Sequence, residues 1–144
     1  MTSISAVLAA FFVVALSAAA VGEPAGAIVN VTLRGDKGED MRIQLDHDTV
    51  PAGPVTFAVT NAARTTEHEM LVIKDTPAHA SLPINTAGNR VLEQRVAKIG
   101  EVSELRPGAQ RTKRFTLKPG RYLLICNVPG HYTMGMTAML TVAQ

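Results

Sequence analysis

The stretch Cys126-Asn-Val-Pro-Gly-His131-Tyr-Thr-Met-Gly-Met136 joins two runs of strand character, Tyr122 to Asn127 and Thr137 to Val142. Pro129 fixes one φ angle, and Gly130 permits backbone shapes that other residues resist. The loop is therefore expected to return His131 toward the sulfur of Cys126, the only cysteine in the chain. Outward from this loop the sequence alternates with period two, the mark of half-buried strands. Val29, Val31 and Leu33 oppose Ile28, Asn30 and Thr32. Met41, Ile43 and Leu45 oppose Arg42, Gln44 and Asp46. Val55, Phe57 and Val59 oppose Thr56, Ala58 and Thr60. Met70-Leu-Val-Ile73 reads as a more completely buried strand, and Phe115 and Leu117 face away from Arg114 and Thr116. Gly35-Asp-Lys-Gly38, Pro51-Ala-Gly-Pro54 and Pro119-Gly120 supply turns. Roughly seven short strands separated by such turns predict an all-β antiparallel sandwich. Residues 75–100 break the pattern: Pro77 and Pro83 punctuate a long loop, and the spacing of Val91, Leu92, Arg95 and Val96 predicts one short helix within 89–98.

The loop sets a thiol, an imidazole and a thioether close together. Upstream, Thr66-Glu67-His68-Glu69-Met70 offers a second imidazole at the start of the buried run. Two imidazole nitrogens and one thiolate in a trigonal set, with a weak axial thioether, form the coordination of a blue copper centre. Thiolate and thioether suit Cu(I), and imidazole serves both oxidation states. The expected ligands are His68, Cys126, His131 and Met136. Met134 is the alternative axial ligand, Met139 reads as core, and Met41 and Met70 read as core or as packing near the site. His47, in Asp46-His-Asp48, and His79, after Pro77-Ala, have no partners at ligand spacing and read as solvated.

Cys126-x4-His131-x4-Met136 with an isolated His68 resembles the cupredoxin, or type 1 blue copper, family. The string Cys-Asn-Val-Pro-Gly-His-Tyr resembles its bacterial periplasmic, plastocyanin- and azurin-like members. Pro51-Ala-Gly-Pro-Val-Thr-Phe57 and Lys118-Pro-Gly-Arg-Tyr122 extend the resemblance, which covers about residues 28 to 143. It implies a Greek-key β-sandwich holding one copper ion that alternates between Cu(I) and Cu(II). Many members carry Asn directly after the first His ligand. Here Glu69 stands there and the Asn follows the cysteine, so Asn127 is expected to donate to Glu69 or to the backbone beside it.

Ser3 to Val21 is apolar and uncharged, and Ala18-Ala19-Ala20 offers small residues for cleavage. Residues 1–20 are expected to be a secretory signal peptide, despite an n-region without Lys or Arg. An uncleaved membrane anchor is the rival, since the run is close to the ~18 residues of a spanning segment. Residues 21–27 would be a linker and 28–144 a single domain, placed in the periplasm. A lone cysteine there makes no internal disulfide, and metal ligation would protect its thiol from oxidation. A formal charge of +2, with no aromatic-basic interleaving, gives no sign of nucleic-acid recognition.

Ile125 and Asn127 flank the cysteine, where multicopper oxidases and nitrite reductases would have His. No second Cys provides for a binuclear centre. One copper with every position filled by protein leaves no place for substrate, so the chain is expected not to be an enzyme. The expected function is periplasmic one-electron transfer between redox partners, such as a cytochrome or a terminal oxidase or reductase, by a monomer. Copper binding and delivery on the same fold is the alternative. Arg106, Arg111, Lys113, Arg114, Lys118 and Arg121 form a basic stretch that would steer an acidic partner or an anionic membrane, or serve simply as a solvated hairpin.

Overall fold

The computed structural model describes residues 25–76 and 81–144. The expected signal segment, most of the linker and His79 lie outside the described residues. Eleven strands follow in order: β1 (Ala27–Arg34), β2 (Arg42–Leu45), β3 (Thr49–Pro51), β4 (Gly53–Asn61), β5 (His68–Lys74), β6 (Ile84–Asn85), β7 (Arg90–Val91), β8 (Lys98–Leu105), β9 (Gln110–Leu117), β10 (Gly120–Ile125) and β11 (Thr137–Ala143). They form a four-stranded sheet in the order β2-β1-β4-β9 and a five-stranded sheet in the order β3-β11-β10-β5-β8. The pair β6-β7 stands apart.

The period-two strands meet face to face. Val29, Val31, Leu33, Val55, Phe57 and Val59 line the inner side of the first sheet. Met70, Val72, Tyr122, Leu124, Leu140 and Val142 join them in one buried cluster. Each large apolar side chain so buried contributes about 1.5–3 kcal/mol before entropy is counted. The unbroken run Met70–Ile73 has a second cause. Leu71 and Ile73 point to the outer side of the five-stranded sheet, beside Ile125 of β10, where Leu82 and Val91 cover them. The long excursion between β5 and β8 thus forms a second, smaller core on the sheet that carries the ligand loop.

The sandwich is as expected, but the short strands β3, β6 and β7 add to the expected set, and there are three further differences. Within 89–98 there is no α-helix, only a single 3-10 turn at Glu93–Arg95 without a side-chain cap. Val91 is committed to β7, where it pairs with Ile84, and its burial against Ile125 takes the apolar positions a helix would have used. β8 was not signalled by alternation, because its pairing with β5 is interrupted by two register shifts and Glu104 adopts φ +53°. The sheets are also mixed. β1 runs parallel to β4 and β3 runs parallel to β11, because the chain crosses to the second sheet for β3 and returns for β4.

Most of the basic stretch lies along the edge strand β9 or its ends. Arg111 donates to the Ser103 carbonyl at 3.0 Å, and the Lys113 ammonium sits 5.7 Å from the centre of the Phe115 ring. Charges of this kind on an edge discourage pairing with another chain.

Candidate metal centre

Three strand ends meet at one end of the sandwich. His68 opens β5, Cys126 follows β10, and Met136 precedes β11. The loop between the last two closes on itself: Cys126 N–H donates to the Met136 carbonyl at 3.1 Å and Met136 N–H to the His131 carbonyl at 3.0 Å. His131 N–H reaches the Val128 carbonyl at 3.0 Å, a turn that requires the φ of +86° at Gly130. This is the return of His131 toward the sulfur that Pro129-Gly130 foretold.

The result is a compact donor set. His68 Nδ1 and His131 Nδ1 are 3.2 Å apart, and Cys126 Sγ lies 3.3 Å from the second and 3.8 Å from the first. The centre of a triangle with those sides is about 2.0 Å from each corner. That is close to the bond length of a first-row metal to imidazole, about 2.0–2.1 Å for zinc, and a little short of that to thiolate. Among the described residues these three are the only His, Cys, Asp or Glu group gathered closely enough to hold a metal.

The protonation pattern fits a cation at that centre. The Gly35 carbonyl only accepts, so the His68 Nε2 at 2.9 Å donates to it and carries the ring proton. The neutral ring then presents the Nδ1 lone pair to the other two donors. Such a carbonyl partner on the far nitrogen is the usual way a metal-binding imidazole is oriented. Burial lowers the pKa of His68, opposed by the bond to Gly35. Burial, with a contribution from His68, lowers His131 to about 4. Burial also pushes the Cys126 thiol up to about 11, although the Glu69 N–H, 3.4 Å from the sulfur, acts in the opposite direction. Two neutral imidazoles and a buried thiol facing one another gain from a positive ion that takes the place of the thiol proton.

Met136 is buried in the main core, whereas Met134 is 54 % exposed. His47 lies away from the cluster, 2.9 Å from Asp46 on an exposed turn. The expected bond from Asn127 to Glu69 is not made. The buried Asn127 amide donates to the Val91 carbonyl at 3.2 Å and to Glu93 Oε1 at 3.0 Å, and its oxygen accepts the Val91 N–H at 2.7 Å. The excursion lies over Asn127 and takes its hydrogen bonds. Glu69 Oε1 is left buried without a partner, and burial raises the pKa of this carboxyl.

Two fasteners had no individual signal in the sequence. Asn61 donates to the carbonyls of Thr66 and Leu105 at 2.9 and 2.8 Å and accepts the Ala63 N–H at 2.9 Å. Asp36 gathers the turn at residues 64–66. Asn and Asp in turns are too common for sequence to mark either, and their partners are distant in the chain.

A β-sandwich with a buried His, Cys, His cluster at one end, and a buried Met after the loop, defines a cupredoxin with a single copper site. Residues 29–143 match the family described as copper binding proteins, plastocyanin/azurin family. The chain belongs to that family, and copper is the metal its donors fit. No curated protein matches it. Among solved structures it is similar to a sodium-dithionite-reduced auracyanin from the photosynthetic bacterium Roseiflexus castenholzii, with 25 % identity and a TM-score of 0.59 over 83 % of this chain and 98 % of that one. It has the fold of auracyanin B, at 24 % identity and a TM-score of 0.60 over 86 % and 94 %. Rusticyanin from Thiobacillus ferrooxidans shares the fold at 14 % identity and a TM-score of 0.60 over 81 % and 76 %.

Proposed function

We propose that this protein is a periplasmic one-electron carrier whose single copper is held by His68, Cys126 and His131, with Met136 as the weak axial ligand. The observation that carries the reading is the triangle of donors, already closed to metal-bond dimensions by the fold. Copper held there supplies a one-electron couple. The chain supplies fixed ligands from three strand ends, so little has to move between oxidation states. Met136 is favoured over Met134 because it is buried beside the loop closure, while Met134 faces solvent.

The four ligands leave no open position for a substrate, which favours transfer over catalysis. His68, Cys126 and Met136 are 0 % exposed and His131 is 6 % exposed. The His131 edge borders a surface pocket of about 700 Å3 whose lining is part apolar, from Met41, Val128, Pro129 and Met134, and part polar, including Lys37 and Glu67. A redox protein docking there would approach the copper through that imidazole. The apolar N-terminal segment supports export to the periplasm. The similar auracyanin from Roseiflexus castenholzii was crystallised in a reduced form, consistent with a redox role for this chain.

Protein-film electrochemistry tests the reading. A carrier gives a reversible one-electron wave over many cycles and keeps its copper throughout. Loss of copper to a chelator on each reduction would make the metal a cargo and the protein a copper donor.

A further inference from the structure

The copper ligands leave one buried charge unexplained. Asp36 is 6 % exposed and lies in the turn after β1, far in sequence from every ligand. Its Oδ1 accepts Thr65 N–H at 2.8 Å, Thr65 Oγ1–H at 2.7 Å and Thr66 N–H at 3.1 Å. Its Oδ2 accepts Arg64 N–H and Arg64 Nε–H, both at 3.1 Å. Arg64 is held from the other side by Glu39. The Thr65 hydroxyl above all, together with the backbone donors, holds the Asp36 carboxyl well below the usual carboxylate range.

The residue before it, Gly35, takes the His68 Nε2–H on its carbonyl. Gly35 has φ +117°, and a Cβ there would lie 2.6 Å from the Asp40 oxygen and 2.9 Å from the Met41 Cα. Its carbonyl is therefore fixed in direction by a backbone that only glycine fits. One turn thus grips His68 twice. Gly35 holds the ring, and Asp36 holds the chain leading into it.

We propose that Asp36 is the positioning residue for His68: its carboxylate locks the turn at 64–66 onto the Gly35 loop, so that the ring reaches the copper at one distance and one tilt. Asp36 makes no hydrogen bond to a ligand atom and acts through the turn, while its charge also favours the protonated form of the His68 ring. The role rests on His68 being a copper ligand, as proposed above, but its effect on the ring is readable without metal. A buried imidazole N–H bonded to a carbonyl exchanges slowly with water, and exchange reports local opening.

The test compares wild type, Asp36→Ala, Asp36→Asn and Val50→Ala. Val50 is buried in β3, which pairs with the far end of β11 from Met136, so its truncation loosens the fold away from the site. In metal-free protein, NMR is expected to show a protected His68 Nε2–H in wild type and in Val50→Ala, and rapid exchange in Asp36→Ala. Asp36→Asn keeps an amide oxygen that accepts the Thr65 and Thr66 N–H groups and loses only the acceptor for Arg64, so its ring proton should stay closer to wild type than to Asp36→Ala. With copper, Asp36→Ala should bind at least about tenfold more weakly, the scale found for loss of an outer partner of a metal-binding imidazole, and its visible spectrum should change shape. Asp36→Asn should retain most of the affinity and the wild-type band shape. A folded Asp36→Ala with a protected ring proton and wild-type affinity would overturn the proposal, as would an equal loss in Val50→Ala. If Asp36→Ala frees the ring while wild type binds no copper at all, the copper reading falls and the clamp stands.

Discussion

Proton release measures the state of the empty site. The affinity for Cu(I) is followed as a function of pH. In the metal-free protein the Cys126 thiol sits near pKa 11 and His131 near 4, and His68 is also held below its ordinary value. Between about pH 7 and about pH 9 both imidazoles are then neutral and the sulfur is protonated. Copper must displace one proton, from Cys126, and none from the histidines. The proton and the metal compete for the sulfur, so affinity rises with pH. It should rise tenfold per pH unit, about 1.4 kcal/mol, and flatten only as the pH passes the raised thiol pKa. The assay is anaerobic competition with a chromophoric Cu(I) chelator, corrected for the chelator's own protonation. A slope near one is the expected result. A slope near zero would mean that the sulfur is already a thiolate in the empty site. A slope near two would mean that an imidazole carries a proton there. Either would refute the account of burial given above.

Replacing each methionine by leucine, close to it in volume, separates the axial candidates. Met136→Leu should raise the reduction potential, because a weak donor that favours Cu(II) is lost, and Met134→Leu should leave it nearly unchanged; reversed results would make Met134 the ligand. Asn127→Ala should destabilise the protein by about 2–4 kcal/mol, since the buried Val91 N–H and carbonyl lose their partner. Urea unfolding checks it, and a loss below about 1 kcal/mol would show that the excursion is not fastened through Asn127. His47→Ala and His79→Ala should leave copper stoichiometry and spectrum unchanged; loss of copper in either variant would reveal another site.

The metal cluster was legible because its chemistry is local in sequence. Cys126, His131 and Met136 share one loop, and Pro129-Gly130 announces the turn that brings the imidazole back. His68 was legible as the polar residue at the mouth of an apolar strand. The two sheets were legible wherever one face is buried, as in β1 and β4, because burial enforces alternation. Alternation failed in β8, whose bulges reset the register. It also failed in the excursion at residues 82–96, whose apolar residues cover the outside of β5. The hydrogen bonds of Asn127 went to Val91 and Glu93 because of that excursion, whose course no local pattern reveals. Asp36 was hidden for a related reason. A turn aspartate usually caps its own turn, whereas this one caps a turn nearly thirty residues later.

Copper bound by the Cys126 sulfur together with two imidazoles has a signature in the visible spectrum. Wild type given one equivalent of Cu(II) should show an intense thiolate-to-copper band, blue or green. The band should bleach on reduction and return on reoxidation, and Cys126→Ser should lack it under the same conditions. Copper bound by wild type without an intense band, or an unchanged band in Cys126→Ser, would contradict the account.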